Sequence, residues 1–474
     1  MSQSIPAPFF PEEATRRGLT ATETGLVFGV FCLTLCVASP VFGKIMPSVG
    51  VRWLALVGQF VVGLSTIVFG LLHYIPLTDG SPVFLSCCLL TRIVLAVACA
   101  AINTAYFAIA AETFSDNQAV VFVSSVFVFA SSAVVFVSSV FVFVSSAVVF
   151  VSSVFVFVSS VFVFVSSVFV FVSSVFVFTA CGVSFMIGPG IGGLIYEVVN
   201  VGGFVMPFVA VGVLLLVIMP SAVYVLPRQL SQESPSEVAD LTVGSLLRVP
   251  TIFITLLATC VSSMQWVLLD PTLEPHLRQF KLNSGDIGAI FLLLSATYAI
   301  SSPICGSIAD RMDNSCPLLI IGFFTTGIGM LLLGPSPELY VDRHCLWLNL
   351  VAIALLGMAL SFCIVPTYDR ILTTAKRLSV TSQKGGPFTN YPLVAGMWHS
   401  VYALGGFIGP VISSWSSHEF GFGWMTTGAA TICFVMTIVL TVFYTYEKMR
   451  DRKLAKAAAN SRANNERQPL LSVL

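Results

Sequence analysis

The sequence carries very little charge. Only 9% of its 474 residues are Asp, Glu, Lys or Arg, whereas a soluble domain has about 25%, so a globular surface could not be solvated. The 22 basic and 22 acidic residues cancel, which excludes a basic face that binds nucleic acid. The composition is 57% hydrophobic and the mean hydropathy is +0.96, which leaves a membrane protein with several spans.

The sequence also lacks paired cysteines and catalytic sets. Most of the 12 cysteines lie inside apolar runs, where a thiol behaves as a small hydrophobic group. No spacing resembles a zinc site, and no nucleophile–base set or phosphate loop is present. We therefore expect no metal, no cofactor and no enzymatic activity. The N-terminus does not have the pattern of a signal peptide.

Eleven apolar stretches are long enough to cross a bilayer. Helices are expected, because every backbone amide in lipid must be bonded within its own segment. The stretches are 24–43, 53–73, 83–111, 175–196, 204–226, 249–270, 286–306, 317–335, 346–368, 393–415 and 424–446. Sixteen Lys and Arg residues fall on one side of these spans and five on the other, which places the first side in the cytosol.

An internal repeat relates two halves of the chain. Ser39-Pro40-Val41-Phe42-Gly43 recurs 263 residues later as Ser302-Pro303-Ile304-Cys305-Gly306, and Pro8 matches Pro271 at the same offset. Repeated bundles with a substrate site between them are typical of transporters. A whole span precedes Pro271 but only seven residues precede Pro8, so we expect the first bundle to lack its N-terminal helix.

A low-complexity tract interrupts the first half. From Ser124-Ser125 to Ser173-Ser174 a Ser pair recurs every seven residues among Val and Phe, with no polar face that would specify a coiled coil. Three interpretations stay open: an expanded repeat or an error in the gene structure, additional membrane spans, and a functional element. The Val-Phe alternation also favours strand association.

These observations predict an all-α polytopic membrane protein built as two pseudo-symmetric helical bundles. The expected parts are a first half over 1–226 with the tract at 119–178, a cytosolic central loop over 227–248, a second half over 249–446, and a disordered cytosolic tail over 447–474.

Two motifs resemble signatures of the major facilitator superfamily. Gly306-Ser307-Ile308-Ala309-Asp310-Arg311 at the end of a span resembles its gating loop, and a weaker copy runs from Gly43-Lys44 to Gly50-Val51-Arg52. Gly188-Pro189-Gly190-Ile191-Gly192-Gly193 resembles the second part of its antiporter motif, with Gly409-Pro410 as the equivalent in the second half. Proline and glycine there predict a kinked, closely packed gate helix. The alternative is simple helix packing.

A closer resemblance is to the vesicular amine transporter family, in its vesicular polyamine transporter-like branch. It is carried by Phe9-Phe10-Pro11-Glu12-Glu13-Ala14, Leu269-Asp270-Pro271-Thr272-Leu273, Tyr298-Ala299-Ile300-Ser301-Ser302-Pro303 and Val365-Pro366-Thr367-Tyr368. The likeness covers about residues 6–118 and 179–474. It implies a twelve-span major facilitator fold and proton-driven uptake of organic cations into acidic vesicles.

Ionisable residues within the membrane are candidates for the transport site, because burying them is costly. Asp270 stands where this family carries an acidic residue, and a carboxylate can hold a proton and an ammonium in turn. Its alternative role is a helix N-cap followed by Pro271. Arg92 and His399 are the other candidates; the alternative for His399 is a hydrogen-bonded packing histidine. The aspartates of monoamine members are absent near Leu360 and Trp398, which disfavours monoamines.

The tail contains Glu466-Arg467-Gln468-Pro469-Leu470-Leu471, which resembles an acidic dileucine signal. The sorting residues are then Glu466, Leu470 and Leu471, with a clathrin adaptor as partner and an intracellular vesicle as location. The leading interpretation is a proton-coupled antiporter that moves polyamines or related amines from the cytosol into vesicles. The alternatives are a facilitator for a drug or organic anion, and a transport-inactive protein.

Overall fold

The computed structural model of the protein describes residues 5–75, 80–113, 204–225, 243–312, 314–334, 346–381 and 391–471. Within these ranges the regular structure is helical. The α-helices, numbered in chain order, are α1 (Phe10–Arg16), α2 (Ala21–Val49), α3 (Val51–Leu71), α4 (Gly80–Thr113), α5 (Val205–Val225), α6 (Val243–Leu247), α7 (Pro250–Val267), α8 (Leu273–Leu277), α9 (Ser284–Asp310), α10 (Cys316–Leu333), α11 (Leu346–Thr381), α12 (Tyr391–Phe420) and α13 (Phe422–Leu471).

Eight of the described helices are long and apolar enough to cross a membrane: α2, α3, α4, α7, α9, α10, α11 and α13. Helix α5 has a shorter apolar stretch, Val205–Pro220, and α12 is a 30-residue helix over the predicted span 393–415. The prediction of an all-helical membrane protein is therefore confirmed. The predicted span 175–196 and the Ser-Val-Phe tract lie outside the described residues.

The helices form two bundles that meet along α2 and α12. In the first half α3 packs on α4 and α5, and α2 packs on α4. In the second half α10 packs on α11 and α13, α9 packs on α11, and α7 packs on α11 and α12. Helix α12 crosses the boundary to pack along α2, and it also contacts α4. The surface between the halves is thus built mainly from α2 and α4 of the first half and α12 of the second.

The helix boundaries follow the sequence repeat. A shift of 263 residues moves the start of α2 onto the start of α9, and the start of α1 onto the start of α8. The caps correspond too: Thr20 and Glu23 form a capping box before α2, and Asn283 and Asp286 form one before α9. Local sequence therefore specifies the same helix start in both halves.

The helices alternate in direction, so the bundle has two ends. One end, here called the α1 end, contains α1, α8 and the α12–α13 turn at Gly421. The opposite end, here called the Gly50 end, contains the α2–α3 turn, where Gly50 has a φ of +87° that L side chains rarely adopt. Helix α4 ends at the Gly50 end, and α5 begins at the α1 end.

Two predicted segments differ in the structure. The tail, expected to be disordered from 447, continues α13 as helix to Leu471. Its run of Ala, Lys and Arg has high helix propensity, and the membrane helix before it removes the cost of nucleation. The predicted gating loop is also shorter than expected, because Gly43, Lys44, Gly306 and Asp310 all lie within α2 or α9.

Candidate functional site

Arg92 of α4 is the largest fully buried side chain in the described part of the protein, with 2% of it exposed. Its guanidinium lies over two aromatic rings, 4.8 Å from the centroid of Phe69 and 5.7 Å from that of Phe28. Nε and Nη2 have no hydrogen-bond partner among the described residues. These two buried donors remain able to donate hydrogen bonds to an anion.

Asp270 lies in the turn between α7 and α8 and is also buried, with 8% exposed. Asp270 and Arg92 interact electrostatically across the boundary between the halves. No N–O distance of 4.0 Å or less joins these two described side chains, so they form a separated pair rather than a salt bridge. The N-cap alternative for Asp270 is wrong, because α8 begins one turn later and its N-cap is Thr272.

His399 of α12 lies between α2 and α4, two helices of the first half. Its Nδ1 is 3.1 Å from Oγ of Ser39 on α2, and its Nε2 is 3.2 Å from Nδ2 of Asn103 on α4. Because the Ser39 hydroxyl donates to the Leu35 carbonyl at 2.8 Å, it accepts from Nδ1–H, and Nε2 accepts from the Asn103 amide. His399 is therefore a hydrogen-bonded link between the halves.

The glycines of the predicted gate helix allow close helix contact. A Cβ on Gly409 would lie 2.6 Å from the carbonyl oxygen of Met264, so α12 touches the backbone of α7 there. Pro410 lies inside α12, and its carbonyl oxygen would be 2.7 Å from a Cβ on Gly25 of α2. This part of α12 therefore packs against both halves. The first-half gate residues Gly188, Pro189, Gly192 and Gly193 lie outside the described residues.

The remaining predicted residues stand apart from these contacts. Arg52 is the second residue of α3 and Arg311 is the exposed C-cap of α9, both at the Gly50 end. Glu466, Leu470 and Leu471 fall in the last turns of α13. Among the described residues no group of three or more His, Cys, Asp or Glu side chains is placed to hold a metal ion.

A charged network at the α1 end was not predicted from the sequence. Arg278, just after α8, pairs with Glu274 on its own half and with Glu12 of α1 on the other half. Glu274 is 1% exposed, and this burial raises its pKa while the Arg278 guanidinium partly offsets the rise. The spacing Glu274 to Arg278 is a helical i,i+4 pair that was visible in the sequence.

A second missed cluster lies at the Gly50 end of the second half. Arg370 of α11 donates to Glu447 of α13 at 2.7 Å, and both side chains are less than a tenth exposed. Asn314 accepts from Arg370, and Thr251 of α7 donates to Glu447 at 2.7 Å. This buried ion pair ties α7, α11 and α13 together.

The sequence matches a known family over most of its length. The Major Facilitator Superfamily sequence model matches residues 173–377 and 255–473. MFS-type transporter SLC18B1 of Mus musculus is 28% identical over 473 residues, which are 99% of this chain and 89% of that protein. The Homo sapiens protein of the same name is 29% identical over 475 residues, with the same coverage. Synaptic vesicular amine transporter of Bos taurus is 27% identical over 157 residues, 33% of this chain and 29% of that protein.

A solved structure has the same fold. The crystal structure of the human organic anion transporter MFSD10 (TETRAN) aligns with a TM-score of 0.54, covering 88% of this chain and 83% of that one. The two sequences are 16% identical, so this likeness concerns the arrangement of helices and not the substrate.

Proposed function

The chain belongs to the major facilitator superfamily, and from that premise we propose that it exchanges protons for polyamines or related organic amines, which it moves from the cytosol into acidic vesicles. As a transporter of this fold it works by alternating access, in which two bundles rock around a site between them.

The observation that carries the proposal is the separated pair of Asp270 and Arg92. Both side chains are buried, they come from opposite halves, and they influence each other electrostatically without forming a salt bridge. A carboxylate held in this way can be neutralised by a proton or by an ammonium, but not by both at once. That competition is the minimum requirement for proton–amine exchange.

Similarity to named relatives supports an amine as substrate. The chain resembles the SLC18B1 transporters over nearly its whole length, and a third of it resembles synaptic vesicular amine transporters. Monoamine members carry additional intramembrane aspartates, whereas buried Leu360 and Trp398 stand near those positions here. The lack of those aspartates disfavours monoamines, so polyamines and related amines are the proposed substrates.

The direction of transport follows from the distribution of charge. The Gly50 end carries most of the basic residues, so it faces the cytosol, and the α1 end faces the vesicle lumen. The tail residues Glu466, Leu470 and Leu471 then lie on the cytosolic side. There they would serve as an acidic dileucine signal that a clathrin adaptor reads.

Organic anion transport is the second candidate. It is favoured by Arg92, whose Nε and Nη2 have no hydrogen-bond partner among the described residues. A guanidinium with two buried donors suits a carboxylate on the substrate.

The test uses the full chain reconstituted in liposomes with an acidic interior and a trapped pH-sensitive dye. If the proposal is correct, external spermidine raises the internal pH and labelled spermidine accumulates, and both effects disappear when the pH gradient is collapsed. Accumulation of a labelled organic anion without any response to amines would favour the second candidate. No movement of either compound would identify a transport-inactive protein.

A further inference from the structure

At the α1 end a single hydrophobic cluster contains residues of both halves. First-half members include Phe10, Phe28 and Phe204, and second-half members include Leu273, Phe291 and Met425. Phe10 packs edge-on against Phe28 at 5.8 Å between ring centroids, and it lies 5.7 Å from Phe69. The two bundles are therefore joined by apolar contact at this end.

At the Gly50 end the described clusters are separate. One contains Met46, Val51 and Leu54 of the first half, and another contains Ile252, Ile371 and Val394 of the second half. A Cβ on Gly43 or Gly396, at corresponding levels of α2 and α12, would meet no described atom within 4 Å. By contrast, Gly29 of α2 would meet Val411 of α12 at 3.1 Å. The described contacts between α2 and α12 thus run from the α1 end as far as Ser39 and His399, and stop short of Gly43 and Gly396.

Next to this apolar cluster at the α1 end, the ion pair of Glu12 and Arg278 joins the halves. Among the salt bridges of the described residues, only that between Glu12 and Arg278 connects the first half to the second. Glu274 fixes Arg278 from within the second half, and it is almost fully buried while Arg278 is 37% exposed. Arg278 therefore donates from Nε to Glu274, which holds it in place, and from Nη2 to Glu12 on the other half.

Glu12 is equally well fixed to the first half, because α1 is anchored there. The neighbouring Arg17 donates to the His73 carbonyl at 2.6 Å and the Ile75 carbonyl at 3.1 Å, and pairs with Glu13 at 2.8 Å. Phe9 packs against Phe204 at 5.8 Å. Helix α1 must therefore move with the first half, so the bond from Glu12 to Arg278 breaks whenever the halves part at this end.

We propose that Glu12 and Arg278 form a latch that holds the two halves shut at the α1 end, with Glu274 as the residue that positions Arg278. A charge-assisted pair that is partly exposed contributes little to folding but acts selectively on one conformation, because it exists only when this end is closed. Breaking it shifts the population toward the form that is open at the α1 end.

The first test follows Cys32, which lies beneath the latch on α2. This thiol is 3% exposed and faces α12, where a Cβ on Gly406 would be 2.9 Å from its sulfur. Glu12→Gln should raise the rate of maleimide labelling of Cys32 several-fold in the purified full chain, read by peptide mass spectrometry. Labelling of Cys433, which is buried within the second half, should stay slow and so report intact folding.

The matched control is Arg16→Gln, which removes an exposed partner of Glu12 on α1 itself and leaves the contact between halves in place. It should leave the labelling of Cys32 unchanged. Unchanged labelling of Cys32 in a folded Glu12→Gln variant would overturn the latch.

A second measurement does not depend on the stability of a single variant. A Glu12→Cys/Arg278→Cys protein joined by a short reducible cross-linker should lose uptake and regain it on reduction. This arm rests on the proposed function, whereas Cys32 labelling needs no substrate, so failure of one can be told from failure of the other. Full uptake by the cross-linked protein would show that this end need not open.

Discussion

Ser39 of α2 and His399 of α12 form a hydrogen bond across the boundary between the two halves, with 3.1 Å between Oγ and Nδ1. Asn103 of α4 completes the link at Nε2. The contact lies on the surface between halves that also carries Asp270 and Arg92. It makes the relative position of the bundles dependent on a titratable side chain.

Ser39→Ala should weaken this link by about 1 kcal/mol, the usual net contribution of one buried hydrogen bond. Because the bond joins the halves, we expect faster exchange between conformations and a small fall in melting temperature. Thr34→Val is the control, since the Thr34 hydroxyl donates to Val30 of its own helix at 2.8 Å. Equal effects of the two variants would show that the Ser39 hydroxyl does not contribute to the contact between the halves.

Glu447→Gln should destabilise the second half by roughly 3 kcal/mol, because it leaves the buried Arg370 guanidinium without a compensating charge. Thermal unfolding in detergent measures the effect. Glu419→Gln serves as control, because Glu419 is 53% exposed and pairs only weakly with His418 at the surface. A melting temperature for Glu447→Gln equal to that of Glu419→Gln would contradict the buried ion pair.

Gly409→Ala should destabilise the protein by about 1–3 kcal/mol, because its new methyl group would lie 2.6 Å from the Met264 carbonyl oxygen and backbone cannot yield cheaply. Gly396→Ala on the same helix meets no described atom within 4 Å, so the better helix propensity of alanine should stabilise by up to about 1 kcal/mol. Opposite shifts in melting temperature are expected. A melting temperature for Gly409→Ala equal to or above that of the parent protein would show that α12 and α7 are not in close contact there.

The free energy of unfolding should fall as the pH drops from about 6.5 to 4, because of His276 at the α1 end. Burial lowers the pKa of His276 to about 4, while its ring stacks on Phe422 with 3.9 Å between ring centroids. The unfolded chain has an ordinary histidine and binds the extra proton in that window, so the folded state loses up to about 3 kcal/mol. His276→Phe should flatten the dependence of the melting temperature on pH over this range. An unaltered pH profile would mean that His276 is not buried in neutral form.

Much of this fold was predictable because the membrane makes sequence patterns simple. The lengths of the apolar stretches predicted the spans. The 263-residue repeat predicted equivalent helices in the two halves, and the capping boxes at Thr20 and Asn283 begin two of them, α2 and α9, at equivalent positions. The motifs at Gly306 and Gly188 indicated the major facilitator superfamily, and the family match confirms it. The tail prediction was wrong, because polarity alone does not distinguish a disordered segment from a helix rich in alanine.

The contacts between halves were predictable only in part. The cost of intramembrane charge identified Arg92 and Asp270 as candidates, but their proximity depends on how the two halves pack together. The local pair Glu274–Arg278 follows from i,i+4 spacing, whereas Glu12–Arg278 joins residues 266 positions apart and has no local signal. Which residues pair across the boundary depends on the tertiary structure, and local sequence patterns do not reveal contacts between such distant residues.

The central claim is that the Asp270 carboxylate carries the exchange of proton for amine. It is tested most directly by spermidine-driven proton release from acidified liposomes that contain Asp270→Asn, compared with Asp286→Asn, which alters an exposed carboxylate of the α9 capping box. Asparagine keeps the shape of aspartate but cannot bind a proton, so we expect Asp270→Asn to abolish proton release and spermidine uptake while its melting temperature stays close to that of the parent protein. Asp286→Asn should retain both activities. Undiminished proton-coupled uptake by Asp270→Asn would contradict the account.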